Sequence, residues 1–278
     1  MGLNVLSPTL GRPEDRISLT CAARLAKALS GRCAALFAMP DPADAFIWAG
    51  EGLTQPPSAE AIEAAREIQI SAENRVQAAI ESVNASVVLP GGIARLTRID
   101  SMSRATVEYL ALHDIAVFSQ DAVKSGGPMG GAFEAALLKA RAPVLVARED
   151  DVVGNPVFIA WDGGLEAGRA VRAALPILQK AASVSICQAV SEVGDRARAG
   201  VDPALLQERL RASDIDAQII LVDATSSANA ASGIMELAGA GSLLVSGAYA
   251  HSRAQEMIFG GATRTFLAGD GPSLLLSH

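Results

Sequence analysis

Glycines and small polar residues are concentrated in one loop near the end of the chain, from Gly247 to Thr263. Gly247 follows a short apolar run, and Gly260 and Gly261 precede a stretch with helical spacing. Glycine lets the backbone turn sharply and approach a ligand without a Cβ in the way. The unpaired N–H groups at a helix start attract anions, and Thr263 would add a hydroxyl. The loop therefore predicts a phosphate-binding site.

Side-chain donors and one carboxylate accompany these glycines. His251, Ser252 and Arg253 lie within the loop, and Asp162 closes an earlier apolar run in the sequence AWDGG. Each also has a simpler interpretation. An aspartate before two glycines initiates a turn, glycines serve turn geometry, and a loop histidine or arginine is often only solvated. The sequence leaves both interpretations open.

The elements that would position these residues are short Val/Leu/Ile runs alternating with Ala-rich helical segments. The predicted strands of the first half are 4–8, 33–40, 94–99, 115–119 and 143–147, and those of the second half are 156–162, 183–190, 218–224, 242–248 and 272–278. Helices are predicted between them, including 59–83, 165–181 and 263–267, and Pro176 predicts a kink or a late start in the second of these. Each half thus runs βαβαβαβαβ, which predicts an α/β fold with two tandem doubly wound domains and five-stranded, mainly parallel sheets.

Two internal alignments indicate that the halves are copies of one unit. The segment KARAPVLVA at 139–147 parallels AGDGPSLLL at 268–276, and HDIAVFSQ at 113–120 parallels AGSLLVSG at 240–247. We therefore predict domains over 1–150 and 155–278. The last strand of each half looks like a sheet edge, and exposed edges tend to pair. The two halves are expected to pair within one chain.

Composition excludes several classes of function. The net charge is −7 with no run of Lys or Arg, so a nucleic acid would be repelled. The three cysteines are scattered, which predicts buried thiols in a reducing compartment. No stretch approaches about 20 apolar residues and no charged leader is present, so we expect a cytoplasmic protein without a membrane span. Motifs of common catalytic sites are missing, and no catalytic residue or metal ligand is predicted.

The stretch GAYAHSRAQEMIFGGATRTFL resembles the G-x2-G-x9-G-[ST] signature of ATP-binding members of the universal stress protein family. Gly247 and Gly260 match the first and third conserved positions. Two positions depart, with Ala250 at the second glycine position and Gly261 at the Ser/Thr position. The resemblance extends over the second half, including Asp162, and covers the first half only in pattern and strand order.

The resemblance implies an adenine nucleotide alpha hydrolase-like fold and a stress-response or regulatory role. It implies binding of ATP, ADP or AMP, with or without Mg²⁺, with the adenosine near Asp162 and Ala189 and the phosphates on the loop. The residues expected to bind are Asp162, Ala189, Gly247, His251, Ser252, Arg253, Gly260, Gly261, Ala262 and Thr263. A protein partner of unknown identity and a homodimer of whole chains are further implications. A ligand-free scaffold and a slow ATP-hydrolysing enzyme are the alternatives.

The first half departs further from the family pattern. Its first strand ends in Ser7, Pro8 and Thr9 without an aspartate, and its glycine loop is too short for the nine-residue spacer. We therefore predict a degenerate copy that has kept the fold and lost the site.

Overall fold

The computed structural model describes residues 2–43, 58–190, 200–223, 226–248 and 261–278. The strands of the first half are β1 (Asn4–Thr9), β2 (Arg32–Met39), β3 (Ile93–Ile99), β4 (Ile115–Ser119) and β5 (Val144–Ala147). Its helices are α1 (Asp15–Ala28), α2 (Ala59–Ser86), α3 (Met102–Leu110), α4 (Gln120–Val123) and α5 (Gly130–Glu134), and α5 continues as a π-helical turn (Ala135–Lys139).

The second half repeats this alternation. Its strands are β6 (Val157–Ala160), β7 (Val184–Val190), β8 (Ala217–Asp223), β9 (Leu243–Gly247) and β10 (Ser273–Ser277). Its helices are α6 (Leu165–Leu178), α7 (Pro203–Arg211), α8 (Ser227–Ala238) and α9 (Gly261–Ala268). Among the described residues, no helix combines the length and apolar character needed to cross a bilayer.

All ten of these strands form one sheet in the order β3-β2-β1-β4-β5-β10-β9-β6-β7-β8. The strands within each half are parallel, whereas β5 and β10 pair antiparallel. The predicted doubly wound α/β fold is confirmed, and so is the pairing of the two terminal strands. Strand order reverses between β1 and β4 and again between β6 and β9. These two places are the topological switch points.

Apolar cores cover both faces of the sheet. On one face Leu25 and Val117 of the first half share a cluster with Ile177 of the second. On the other face Phe118 of the first half shares a cluster with Phe266 of the second. Burial on both faces is typical of parallel strands, and it explains why the strands are continuous runs of Val, Leu, Ile and Ala. The two halves therefore share their cores as well as their sheet.

Local signals set the helix starts. The side chains of Ser58, Ser101 and Ser226 each accept a backbone N–H of the first turn, and Asp202 does the same for α7. A late start of α6, one of the two alternatives that Pro176 predicted, is wrong because the helix already begins at Leu165. Pro176 lies in the last turn of that helix, where its missing N–H removes a single hydrogen bond near the end.

Candidate functional site

The switch point of the second half brings two of the predicted site residues together. Strand β6 pairs with β9, and Ala160 is aligned with Ser246. Asp162 follows the end of β6, and Gly247 is the last residue of β9. Both therefore lie at the carboxyl edge of the sheet, beside the crevice where doubly wound sheets bind their ligands.

Asp162 forms a turn and remains exposed to solvent. Its Oδ1 accepts the N–H of Gly164 at 2.8 Å, and the residue as a whole is exposed. Gly163 has φ +75°, a left-handed conformation that suits glycine. The simpler interpretation of Asp162, that it initiates a turn, is thus correct. The second carboxylate oxygen, Oδ2, is not used by this turn.

Gly200 and Val201, which the sequence did not single out, pack against the same loop. Val201 donates its N–H to the carbonyl of Gly163 at 3.0 Å and accepts the indole N–H of Trp161 at 2.8 Å. A Cβ on Gly163 would lie 2.3 Å from the nitrogen of Val201, and one on Gly200 would lie 2.4 Å from the carbonyl oxygen of Asp162. Backbone packing therefore requires both glycines. The signal available in the sequence was a glycine shortly before Pro203, where α7 begins.

Gly247 makes a close approach to a helix rather than to empty space. A Cβ at this position would lie 2.6 Å from the nitrogen of Ala167 and 2.8 Å from the carbonyl carbon of Glu166. The first turn of α6 is thus packed directly on the end of β9. The sequence predicted that the missing Cβ of Gly247 would leave room for a ligand. In the structure it leaves room for this contact with α6.

Ala189 belongs to the neighbouring strand at the same edge. Cys187 is aligned with Ala160, and its carbonyl accepts the N–H of Trp161 at 2.9 Å. Ala189 lies two residues further along β7 and is half-buried. The backbone of β7 therefore passes beside the loop that carries Asp162.

Helix α9 begins at Gly261, two residues earlier than the predicted start at 263. Gly261 is exposed, Ala262 is half-buried, and only 4% of the surface of Thr263 is exposed. The hydroxyl of Thr265 donates to the carbonyl of Gly261 at 3.0 Å. The candidate ligands His251, Ser252, Arg253 and Gly260 lie outside the described residues, and so does Ala250.

The charges at this edge are mostly negative where the structure describes them. Asp162 is exposed, and Glu166 in the first turn of α6 forms an ion pair with Arg169 at 3.7 Å. Over the described ranges, no three His, Cys, Asp or Glu side chains converge as a metal site would require. A phosphate bound here would need its positive counterpart from helix N–H groups or from a cation.

The equivalent edge of the first half is filled by its own residues. Asp15 is buried, and its Oδ2 accepts the N–H groups of Leu10 and Arg12, each at 2.9 Å. Burial raises the pKa of Asp15, and hydrogen bonds from the loop amides oppose that rise. Gly11 lies against helix α2, where a Cβ would be 2.3 Å from the carbonyl oxygen of Ala72. The loop amides therefore already serve an internal carboxylate.

The glycine loop of the first half is also packed. Met129 is 2% exposed, and its N–H donates to the carbonyl of Ala122 at 2.8 Å. A Cβ on Gly127 would lie 2.5 Å from that same carbonyl oxygen. These contacts show a closely packed loop, and the loss of the site from the first half stays a prediction.

Neither a family model nor a curated protein matches this chain in sequence. Solved structures do match it over nearly its whole length. A universal stress protein from Archaeoglobus fulgidus DSM 4304 aligns with 99% of this chain and 97% of its own, with a TM-score of 0.68 and 15% identity. This chain has the fold of a universal stress protein.

Two structures from Pseudomonas aeruginosa share the universal stress protein fold of this chain. A functionally unknown protein from strain PAO1 is 12% identical with a TM-score of 0.55, and the alignment covers 99% of this chain and 92% of that one. A candidate universal stress protein from strain UCBPP-PA14 is 11% identical with a TM-score of 0.55, covering 99% and 93%. Similarity at these identities shows a shared fold.

Proposed function

We propose that the second half binds an adenine nucleotide at the carboxyl edge between β6 and β9, and that the protein acts as a stress-response regulator. The observation that carries this proposal is the placement of Asp162 and Gly247 at the ends of two paired strands. That pair flanks the switch point, which is the usual ligand position in doubly wound sheets.

The adenosine moiety would lie toward β7. Asp162 is exposed and keeps Oδ2 beyond its turn, so it can accept hydrogen bonds from ribose hydroxyls. The backbone of the half-buried Ala189 offers a donor and an acceptor to the adenine edge. This division matches the usual design of nucleotide sites, in which a few polar groups fix the orientation of the ligand.

The phosphates would lie toward α9. The exposed Gly261 is the first residue of that helix, and the first N–H groups of a helix have no partner within it. The carboxylates of Asp162 and Glu166 oppose phosphate binding, so Mg²⁺ held through water or the donors His251 and Arg253 would complete the site. Because Gly261 has no hydroxyl, the terminal phosphate of ATP gains one hydrogen bond less than the family signature provides. We therefore expect ADP and ATP to bind with similar affinity.

Isothermal titration with ATP, ADP, AMP and adenosine, with and without Mg²⁺, tests the proposal. Asp162→Ala should weaken binding of all four, because each carries the ribose. Asp216→Ala is the matched control, since Asp216 is exposed in the same half and precedes β8 at the opposite edge. Absence of heat and of a thermal shift with every ligand would remove the nucleotide from the proposal.

One observation favours a ligand-free scaffold as a second candidate. Gly163, Gly200 and Gly247 all contact backbone so closely that packing alone requires them. Their presence is therefore compatible with a site that binds nothing. Acid extracts of the purified protein, assayed for nucleotide by mass spectrometry, separate the two candidates when combined with the titrations above.

A further inference from the structure

Arg148 of the first half reaches into the second half. It follows the last residue of β5, and its guanidinium is part-buried. Nη2 donates to the carbonyl of Phe266 and Nη1 to the carbonyl of Pro272, both at 2.6 Å. The backbone N–H of Arg148 donates to Oγ of Ser273 at 3.1 Å.

Gln120, which follows β4 in the first half, completes this arrangement. Its Oε1 accepts Nε of Arg148 at 2.7 Å, and its Nε2 donates to the carbonyl of Gly269 at 3.1 Å. Together the two side chains, which we call the Arg148–Gln120 clamp, hold three carbonyls of the second half. Those carbonyls belong to Phe266, Gly269 and Pro272.

The clamp acts on the carboxyl end of α9. Phe266 is one of the last residues of that helix, where carbonyls have no partner within the helix and carry partial negative charge. A guanidinium suits this place because its planar fork presents several donors in fixed directions. Burial lowers the pKa of Arg148 to about 10, with the charge of Asp270 opposing, so the group stays cationic at neutral pH.

The opposite end of α9 begins at Gly261, where the phosphates would lie. The helix has eight residues, so the two ends are about 12 Å apart. We infer that Arg148 and Gln120 are positioning residues for the nucleotide site, because they fix the helix whose first N–H groups face the phosphates. This inference rests on the proposed function. The first half would then support ligand binding by the second half without binding a ligand itself.

A related contact lies within the second half, at the end of β9. His278 follows β10 as Arg148 follows β5, and its Nδ1 forms a hydrogen bond with the carbonyl oxygen of Ala248 at 3.0 Å. Ala248 in turn donates its N–H to the carbonyl of Ser277 at 2.8 Å. Ala248 is therefore held by the second half, whereas α9 is held by the first half.

Arg148→Met tests the inference by titration with ATP and with adenosine. Methionine keeps much of the apolar stem and removes the donors. We expect the Kd for ATP to rise about fivefold or more, while the Kd for adenosine stays within about twofold, because only the phosphates contact α9. Gln120→Ala is a milder second variant for the case that Arg148→Met does not fold. Arg104→Met is the matched control, since its side chain is 71% exposed and its ion pairs with Asp100 and Glu108 lie within the first half.

A purely structural role predicts a different result. It would lower the melting temperature while leaving both Kd values unchanged or shifting them equally, and either outcome overturns the inference. Hydrogen exchange of the ligand-free protein gives a readout that does not need a nucleotide, because the amides of α9 should exchange faster in both clamp variants than in the control. If the wild-type protein binds no nucleotide, the proposed function fails, and unchanged exchange in α9 would then refute the clamp itself.

Discussion

Leu145 of the first half is aligned with Leu275 of the second at the centre of the antiparallel pair β5–β10. Both side chains are fully buried and belong to one apolar cluster. The pairing of β5 with β10 joins two five-stranded parallel units into one sheet. It leaves the edges of the sheet at β3 and β8.

We call the antiparallel pairing of β5 with β10 the seam. Removing apolar volume at the seam should destabilise the whole protein. We expect Leu275→Ala to lower the free energy of unfolding by about 2–5 kcal/mol, because it leaves a cavity between two packed strands. Urea denaturation followed by circular dichroism measures the loss. Leu221→Ala is the control, since Leu221 is 62% exposed on the edge strand β8 and should cost little. Equal losses in the two variants would contradict a shared core at the seam.

Gly247→Ala should destabilise the protein even without ligand. The new methyl group would overlap the nitrogen of Ala167, so β9 and α6 must move apart, at a cost of about 1–3 kcal/mol. Gly130→Ala is the control, because Gly130 is helical and a Cβ there meets nothing within 4 Å. Thermal denaturation of both variants checks the prediction. A melting temperature unchanged by Gly247→Ala would show that the contact with α6 is not tight in solution.

Asp15 gives the first half a pH dependence that is opposite to that of an ion-paired carboxylate. Its pKa in the folded state is raised above the ordinary value of 3.8 by burial. Its contribution to stability is therefore fully present below that value and is lost as the pH rises through the higher folded pKa.

Asp15→Asn removes this titration and keeps an acceptor for the amides of Leu10 and Arg12. We expect the stability of the wild-type protein relative to this variant to fall as the pH rises from the ordinary carboxyl pKa of 3.8 toward neutral. Urea titrations of both proteins across that range measure the difference, and a relative stability that rises with pH would contradict the raised pKa.

The cysteines should be unreactive in the native protein. All three are buried, and burial raises the pKa of Cys33 to about 12 and that of Cys187 to about 11. Because the thiolate is the reactive form, a thiol reagent such as DTNB should label the native protein slowly and the urea-unfolded protein rapidly at neutral pH. Fast labelling of one thiol in the folded state would contradict this prediction and would indicate local opening of the structure near that residue.

Local pattern determined most of the fold. The run at 115–119 is the strand β4 to the residue, because continuous burial on both faces of a parallel sheet leaves an uninterrupted apolar run. Alternation of strands and helices then implied the doubly wound order, since crossovers are right-handed. The same order placed Asp162 and Gly247 at one edge, as the carboxyl ends of parallel strands share an edge.

Contacts between residues distant in sequence were decided only by the tertiary structure. Glycine at 247 signals that something lies close, but the neighbour is Ala167 of α6, and sequence spacing carries no information about which backbone approaches. Gln120 and Arg148 look like ordinary surface residues in the sequence. Arg148 bonds to Phe266 of α9 and Gln120 bonds to Gly269, which follows α9, because the antiparallel seam brings the end of β5 beside the start of β10. That geometry exists only after both halves have folded onto one sheet.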